Sequence, residues 1–344
     1  MNDLYFNVHG IKANLRTEDD KFTTFVATNY RFFSDTSEES QIEVYFDGYY
    51  SWPRRRKRTS YGSLYRLNTG LYVGLDRLIW DDNRFSVTAQ LTGNRLKISC
   101  RYYEHIEDLP RKVYLGPRRF RLENYQRIMR LILHFPIFWM LAVEEGKYLI
   151  HASAVEKNGK GLIFAGLNGV GKTTLALYLV KRKGYRFLSD NFLIFDKERI
   201  YAFPEVVRMS PKMAEWLKLK PCPYDTMIFG KGHYLLGKEE ISREAIPEDI
   251  FFVYLGQGDV QIEEVPPSAM VDRIVKMHQY LGEFPEHSYL GALNFLEGTS
   301  FDWNRACETL SYLVKNCKCH FLMNTKGISL ERITEEIEHA TVDS

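Results

Sequence analysis

The sequence predicts an α/β protein in which a mainly antiparallel β domain, residues 1–120, precedes an α/β domain, residues 121–344. Within the first 120 residues, which are rich in Tyr, Phe and Arg, apolar residues alternate with polar ones in several stretches. From Glu123 onwards the apolar residues take helical spacing, and strands then alternate with helices. A length of 344 residues is sufficient for two such domains.

Composition indicates a folded protein. Hydrophobic residues make up 45% of the chain and charged residues 26%, close to the globular average. The net charge of +2 gives no chain-wide reason to expect binding to nucleic acid or membrane. Five cysteines make no disulfide framework, and the N-terminus does not resemble a secretory signal. We therefore expect a cytoplasmic protein, and a homo-oligomer is compatible with the sequence.

The clearest element of the first domain is a β-hairpin. Apolar residues alternate from Phe85 to Leu91 and again from Leu96 to Cys100, and the turn "TGNR" separates the two runs. The most apolar window, Leu131 to Val143, predicts a buried helix. This window is shorter than the roughly 20 residues that cross a bilayer, and we expect the helix to bend or split near Pro136.

The second domain begins with a strand, the turn "KNGK", and a second strand from Gly161 to Ala165 that runs into a glycine-rich loop. A helix begins near Lys172, and Gly184 is a natural stop for it. The strand "YRFLS" then leads to Asp190. This order of elements is typical of an α/β domain.

The glycine-rich loop, "GLNGVGKT", matches the phosphate-binding pattern G-x-x-x-x-G-K-[ST] in full. Glycines let backbone N–H groups turn towards phosphate oxygens, and the following helix presents its positive end. The pattern predicts that Lys172 contacts the β- and γ-phosphates of ATP and that Thr173 binds Mg²⁺. The alternative is a turn whose lysine faces solvent. The predicted nucleotide-binding residues are Gly166, Leu167, Asn168, Gly169, Val170, Gly171, Lys172, Thr173 and Thr174.

Asp190 follows Gly166 by 24 positions and lies at the carboxyl end of a predicted strand. Ligands bind at that edge of open α/β sheets, so the carboxylate can accept a hydroxyl proton or hold Mg²⁺. Asn191 beside it can offer an oxygen to the metal but no negative charge. The alternative is an ordinary turn, which Asp-Asn favours.

Three segments taken in order, "LIHASAV", "GLNGVGKTTLALYLVKRKGY" and "FLSDN", resemble the HPr kinase/phosphorylase superfamily, particularly its stand-alone, serine-kinase-like relatives. The resemblance implies a P-loop catalytic domain related to phosphoenolpyruvate carboxykinase and ATP-dependent transfer of phosphate to a hydroxyl group. It also implies catalytic roles for His151, Lys172 and Asp190. Asn191 departs from the family, which has a second aspartate there.

His151 titrates near neutrality in its unperturbed state, so we expect it to contact a phosphate or to orient Asp190. A buried structural histidine is the alternative. Glu205 is a further candidate metal ligand; with Arg208 it could equally form a surface pair. Lys231 lies in a glycine-flanked segment that could reach a substrate.

Two further patterns have ordinary explanations. The basic run Arg54 to Arg58 could bind an acidic peptide, nucleic acid or a membrane, but a solvated loop explains it more simply. The segment Cys317 to His320 lacks the spacing of a tetrahedral zinc site and predicts a strand with buried thiols.

Together these patterns predict an ATP- and Mg²⁺-dependent kinase that acts on a serine-type hydroxyl of a peptide, protein or small molecule. The first domain would contribute to substrate recognition. The alternative is a nucleotide-binding sensor without catalysis, which Asn191 motivates. A nucleotide-hydrolysing switch is less favoured because no water-positioning element is recognisable.

Overall fold

The computed structural model describes residues 2–50, 64–68, 70–81, 84–104, 108–224, 230–281, 292–296, 302–325 and 327–342. Within these residues the protein is a mixed α/β structure with three sheets. The chain divides into two compact units, of which the first comprises residues 1–146, 222–233 and 284–301. The second comprises residues 147–221, 234–283 and 302–344.

The first unit is built on an eight-stranded sheet in the order β1-β2-β3-β8-β7-β6-β5-β4. Strand β3 pairs in parallel with β2 and β8, and the described pairings of the other neighbours are antiparallel. Its strands are β1 (Asn2–Val8), β2 (Ile11–Thr17), β3 (Ile42–Tyr50), β4 (Tyr65–Asn68), β5 (Leu71–Val73), β6 (Arg77–Asp81), β7 (Phe85–Thr92) and β8 (Arg95–Tyr103). Its helices are α1 (Asp20–Asn29), α2 (Leu109–Leu115), α3 (Pro117–Met129) and α4 (Phe135–Glu144).

The predicted hairpin is confirmed as strands β7 and β8. Leu91 pairs with Leu96, and the burial of β7 alternates from Phe85 to Thr92 as the sequence pattern does. One face of this hairpin therefore packs into the core.

Helices α3 and α4 belong to the first unit, so the boundary lies at Gly146 and not near residue 120. The reason is tertiary packing that sequence spacing does not reveal. The Tyr125 hydroxyl donates a 2.7 Å hydrogen bond to Asp19, which caps α1, and the Tyr125 and Phe22 rings are 5.2 Å apart. Phe22 in turn packs 4.5 Å from Phe46 of β3, between ring centroids.

A π-helical turn at Arg130–His134 joins α3 to α4 immediately before Pro136. The wider turn accommodates a residue that cannot donate a backbone hydrogen bond, so the expected interruption near the proline is present. The joined helix, Pro117–Glu144, has 28 residues and is long and apolar enough to cross a membrane. The sequence prediction, which considered only the window from Leu131 to Val143, judged it too short. In this structure 78% of its most apolar part is buried inside the protein, as in a core helix.

The second unit contains a nine-stranded sheet whose central strands, β11, β18 and β20, are parallel. A small sheet joins β15, β17 and β16. The strands are β9 (Tyr148–Ile150), β10 (Ala152–Lys157), β11 (Lys160–Ala165), β12 (Arg186–Ser189), β13 (Leu193–Phe195), β14 (Ile200–Tyr201), β15 (Val207–Met209), β16 (Lys220–Pro221), β17 (Gly232–Leu235), β18 (Glu244–Gly256), β19 (Gln261–Glu264) and β20 (Lys318–Thr325). The helices are α5 (Lys172–Lys183), α6 (Pro211–Trp216), α7 (Pro267–Leu281), α8 (Trp303–Lys315) and α9 (Leu330–Val342).

The core of this sheet places a buried contact between a carboxylate and an imidazole beside stacked rings. The Asp249 carboxylate lies 2.9 Å from Nε2 of His320, whose ring stacks 4.7 Å from that of Phe251. Cys317, directly before β20, and Cys319, on β20, are both buried, so the expected strand with buried thiols is confirmed from Lys318 onwards. Burial raises the pKa of both thiols to about 12. No group of three metal-ligating side chains occurs among the described residues.

Two glycines of this unit meet different constraints. Asn158 and Gly159 form the "KNGK" turn with positive φ at both positions, which a two-residue hairpin of type I′ requires. Gly166 has φ +140°, and a Cβ there would lie 2.3 Å from the Val253 carbonyl oxygen of β18. Gly166 therefore permits close contact between two backbones as well as an unusual φ.

We predict that Gly166→Ala lowers the free energy of unfolding by about 3 kcal/mol or more, because it adds a backbone collision to conformational strain. The matched change Gly159→Ala meets no atom within 4 Å and should cost about 1 kcal/mol. Urea unfolding of both variants measures the difference. Equal losses would show that β18 does not constrain Gly166.

Candidate functional site

The segment Gly166–Gly171 connects β11 to α5, so the strand, loop and helix that the motif predicts are all present. Gly169 and Gly171 have positive φ, and no side chain caps the N-terminus of α5. The first amides of α5 thus have no capping side chain, and Leu167, Asn168 and Gly169 are exposed. An exposed loop at a helix N-terminus suits an anion.

The Lys172 ammonium lies inside this loop. Its side chain is buried, and Nζ donates to the carbonyl oxygens of Gly166 at 2.7 Å and Leu167 at 3.0 Å. A buried ammonium needs such partners. The lysine therefore does not face solvent, contrary to that part of the alternative interpretation, and nucleotide binding by the loop stays a prediction.

The Asp190 carboxylate joins two hydroxyl groups. Its Oδ1 atom accepts a hydrogen bond from Thr173 Oγ1 at 2.8 Å and another from Ser153 Oγ at 2.6 Å. Thr173 is in the first turn of α5, and Ser153 is fully buried on β10. The structure thus brings two of the predicted metal ligands together.

Sequence reasoning missed Ser153. It lies two residues after His151, and alternation along an extended chain places residues two apart on one face. That spacing could have placed Ser153 near His151 in the candidate site. It does not show that the Ser153 hydroxyl contacts Asp190.

Asp190 and Asn191 stand in a turn that Ser189 fixes. The buried Ser189 hydroxyl donates to the carbonyl oxygens of Phe192 and Phe203, the latter at 3.0 Å. Asn191 has φ +73°, a left-handed conformation in which asparagine is one of the few favoured side-chain residues. The turn interpretation is therefore confirmed, and this turn places Asp190 next to Thr173, while the site interpretation stays a prediction.

His151 does not titrate near neutrality, which corrects the expectation from sequence. Its side chain is buried, and burial followed by the Lys172 charge lowers its pKa to about 4, although the Asp190 carboxylate acts in the opposite direction. The Asn168 side chain and the Asn191 backbone lie beside the His151 ring and, like Asp190, act to raise its pKa. The neutral ring thus lies beside both the loop and the turn that carries Asp190.

A second residue that sequence reasoning missed is Asn324, at the carboxyl end of β20. Its side-chain Nδ2 donates a 2.6 Å hydrogen bond to the Val170 carbonyl oxygen. A Cβ on Gly171 would lie 2.6 Å from the same nitrogen. Asn324 therefore holds the second half of the loop, a contact that depends on the pairing of β20 with β18.

The remaining candidates are not joined to this cluster by a described contact. Glu205 is buried two residues after Phe203, which bridges to Ser189. Arg208 and Lys231 are exposed. The basic run Arg54 to Arg58 lies outside the described residues.

The oxygen atoms of this cluster fit a hard cation. Thr173 and Asp190 supply a hydroxyl and a carboxylate within one hydrogen-bonded group, and Mg²⁺ takes oxygen ligands. Mg²⁺ in nucleotide sites commonly uses one or two protein side chains together with phosphate oxygens and water. Thr173 and Asp190 are therefore the kind of ligands that such a site would need from the protein.

No protein-family model matches this chain, and no curated protein matches it in sequence. Among solved structures, part of the chain is similar to the HPr(Ser) kinase/phosphatase of Coxiella burnetii. The similarity has 13% identity and a TM-score of 0.22, and covers 39% of this chain and 98% of the other. Identity and TM-score this low leave the function to be argued from the side chains.

We predict that His151 makes stability depend on pH. Its pKa is about 4 when folded against 6.5 when unfolded, so the unfolded state binds more protons below pH 6.5. Stability is therefore full above pH 6.5 and falls as the pH drops towards 4. Between pH 7 and pH 5 the wild type should lose about 2 kcal/mol more unfolding free energy than His151→Asn.

Denaturant titrations at the two pH values measure this difference. The exposed His339→Asn change should follow the wild type. Parallel losses in wild type and His151→Asn would contradict the assignment.

Proposed function

We propose that the protein is an ATP- and Mg²⁺-dependent kinase that transfers the γ-phosphate to a hydroxyl group of a peptide, protein or small molecule. The observation that carries this proposal is the hydrogen bond of 2.8 Å between Thr173 Oγ1 and Asp190 Oδ1 at the end of a loop that encloses Lys172. In this pair, the hydroxyl that would bind Mg²⁺ contacts an acidic side chain, and both lie beside the loop that would bind phosphate.

Lys172 is prepared for phosphate because its present partners are weak ones. The two loop carbonyls are neutral acceptors, and a phosphate oxygen forms a stronger, charge-assisted hydrogen bond. Binding of the nucleotide would exchange these carbonyls for phosphate oxygens, with the first amides of α5 as further donors. Catalysis of phosphoryl transfer depends mainly on such positioning and charge stabilisation.

Thr173 and Asp190 are the residues that would hold Mg²⁺. The Thr173 hydroxyl donates its hydrogen to Asp190, so the lone pairs of its oxygen remain for the metal. Mg²⁺ bound there would neutralise charge on the β- and γ-phosphates.

The second carboxylate oxygen of Asp190, Oδ2, remains available to the hydroxyl group that would receive the phosphate. Both hydrogen bonds from Ser153 and Thr173 go to Oδ1, and none in the described part of the chain goes to Oδ2. The two hydroxyls fix the carboxylate, and Oδ2 can then accept the proton of a substrate hydroxyl. In this scheme His151 is neutral at neutral pH and lies beside the Asn168 side chain and the Asn191 backbone.

The second candidate function is a nucleotide-binding sensor without catalysis, which the amide at Asn191 favours because it cannot add negative charge for the metal. The left-handed backbone of Asn191 supplies a conformational reason for the amide. The two functions differ in whether bound ATP transfers its phosphate.

Radiolabelled γ-phosphate of ATP tests the kinase directly with serine-containing peptides encoded by adjacent genes as acceptors. We expect Asp190→Asn to keep ATP binding and to reduce transfer about 100-fold or more, because general-base catalysis alone contributes that much. The matched control is Asp196→Asn, since Asp196 holds a turn by accepting backbone hydrogen bonds from Glu198 and Arg199. It should retain both properties. ATP binding without transfer to any acceptor, unaffected by Asp190→Asn, would support the sensor.

Substitution of Asn191 by Asp tests the metal site. The added carboxylate should lower the Mg²⁺ concentration needed for nucleotide binding by about tenfold, because charge dominates the affinity of hard cations. Asn158→Asp is a matched control, since Asn158 also has positive φ and lies in the exposed "KNGK" turn. Titration of ATP binding with Mg²⁺ measures the effect. No difference between the two variants would place Asn191 outside the metal site.

A further inference from the structure

The first unit contains a cleft of about 520 Å³ between the beginnings of helices α1 and α3 and the segment Pro223–Tyr224. Its size falls within the usual range of ligand-binding pockets, about 300 to 1,000 Å³. The charged side chains that line it are Asp20, Lys21, Arg118 and Arg121, and the large apolar or aromatic ones are Leu122, Tyr125 and Tyr224.

The charges around the cleft are unbalanced. Lys21 and Arg118 line the cleft with one carboxylate, Asp20, which already accepts a 2.8 Å hydrogen bond from Asn2, and Arg121 lines it with an interaction of its own. Arg111, on the preceding helix, pairs with Glu123 at 2.6 Å, whereas Arg118 has no acidic partner among the described residues. The cleft therefore favours a ligand that carries negative charge.

The floor of the cleft is apolar and fixed in place. Tyr125 donates its hydroxyl hydrogen to Asp19 at 2.7 Å, and Tyr224 accepts a 3.2 Å hydrogen bond from Asn29. The rings of Tyr224 and Phe25 lie 5.1 Å apart. A floor that is already ordered costs little conformational entropy when a ligand binds.

We propose that this cleft binds an acidic peptide segment in which carboxylates flank an apolar or aromatic side chain. The carboxylates would pair with Arg118 and Lys21, and the apolar side chain would rest on Leu122, Tyr125 and Tyr224. Nucleic acid is the less favoured ligand because the chain as a whole carries a net charge of only +2. If the proposed kinase function is correct, this peptide is part of the phosphate acceptor. The inference rests on the proposed function for that identification only.

The test uses the full chain without nucleotide and a fluorescein-labelled peptide of 12 residues that repeats Glu and Tyr, with a twin in which Gln replaces Glu. At ~0.15 M salt the Glu peptide should bind at least about tenfold more tightly than its twin. Arg118→Glu should weaken binding of the Glu peptide at least about tenfold. The matched control is Arg119→Glu, because Arg119 is an exposed neighbour on α3 that does not line the cleft, and it should change affinity less than about twofold.

Thr24→Trp tests the shape of the cleft without changing its charge. Thr24 is an exposed residue that lines the cleft, so the larger ring should block the peptide while the fold is retained. Equal losses from Arg118→Glu and Arg119→Glu, or undiminished binding in Thr24→Trp, would overturn the proposal. Tighter binding of a single-stranded oligonucleotide, or full displacement of the peptide by millimolar inorganic phosphate, would overturn the choice of a peptide.

Lys172→Ala separates this inference from the proposed function. It should abolish ATP binding and leave peptide binding unchanged, because Lys172 belongs to the second unit. If the chain binds the peptide but cannot transfer phosphate, the docking cleft is supported and only the proposed kinase function is contradicted.

Discussion

The Oδ1 atom of Asp190 is the point on which the arrangement of the candidate site depends. It accepts hydrogen bonds from Ser153 on β10 and Thr173 on α5, while Asp190 itself follows β12. Three segments that are separate in sequence thus share one acceptor atom. Since a buried hydroxyl without a partner is costly, Ser153 and Asp190 fix each other in place. This shared contact therefore holds the loop, the helix and the acidic turn in fixed positions relative to one another.

Charge explains the state of the neighbouring side chains. Lys172 is a buried cation, and its field together with burial keeps His151 neutral. A protonated His151 would add a second positive charge beside the ammonium, where the repulsion is poorly screened. The candidate site therefore holds one cation and one carboxylate beside a neutral imidazole, and in the proposed function a phosphate would meet donors that are already oriented.

Local patterns predicted local structure well. The alternation from Phe85 predicted the hairpin, and the strand, loop and helix around Lys172 followed from glycine positions and apolar spacing, because each depends on neighbours in sequence. Ser153 and Asn324 could not be assigned, because their roles depend on which strands pair and in what register. The unit boundary differed for the same reason, since the contact of Tyr125 with Asp19 joins residues that are 106 positions apart. The His151 pKa required burial and a neighbouring charge that no linear pattern contains.

Asn191 changes the charge balance of the site more than its geometry. A second aspartate would add a negative charge beside Asp190, which would strengthen metal binding and repel the nucleotide phosphates before the metal arrives. The amide leaves Lys172 and Asp190 as a balanced pair, so in the proposed function phosphates would approach without that repulsion and would supply most of the oxygen ligands of Mg²⁺. The left-handed turn at φ +73° accepts asparagine readily, and Ser189 holds that turn from within. A site of this composition is expected to bind Mg²⁺ with the nucleotide and not before it, with Thr173 and Asp190 as the protein's contribution.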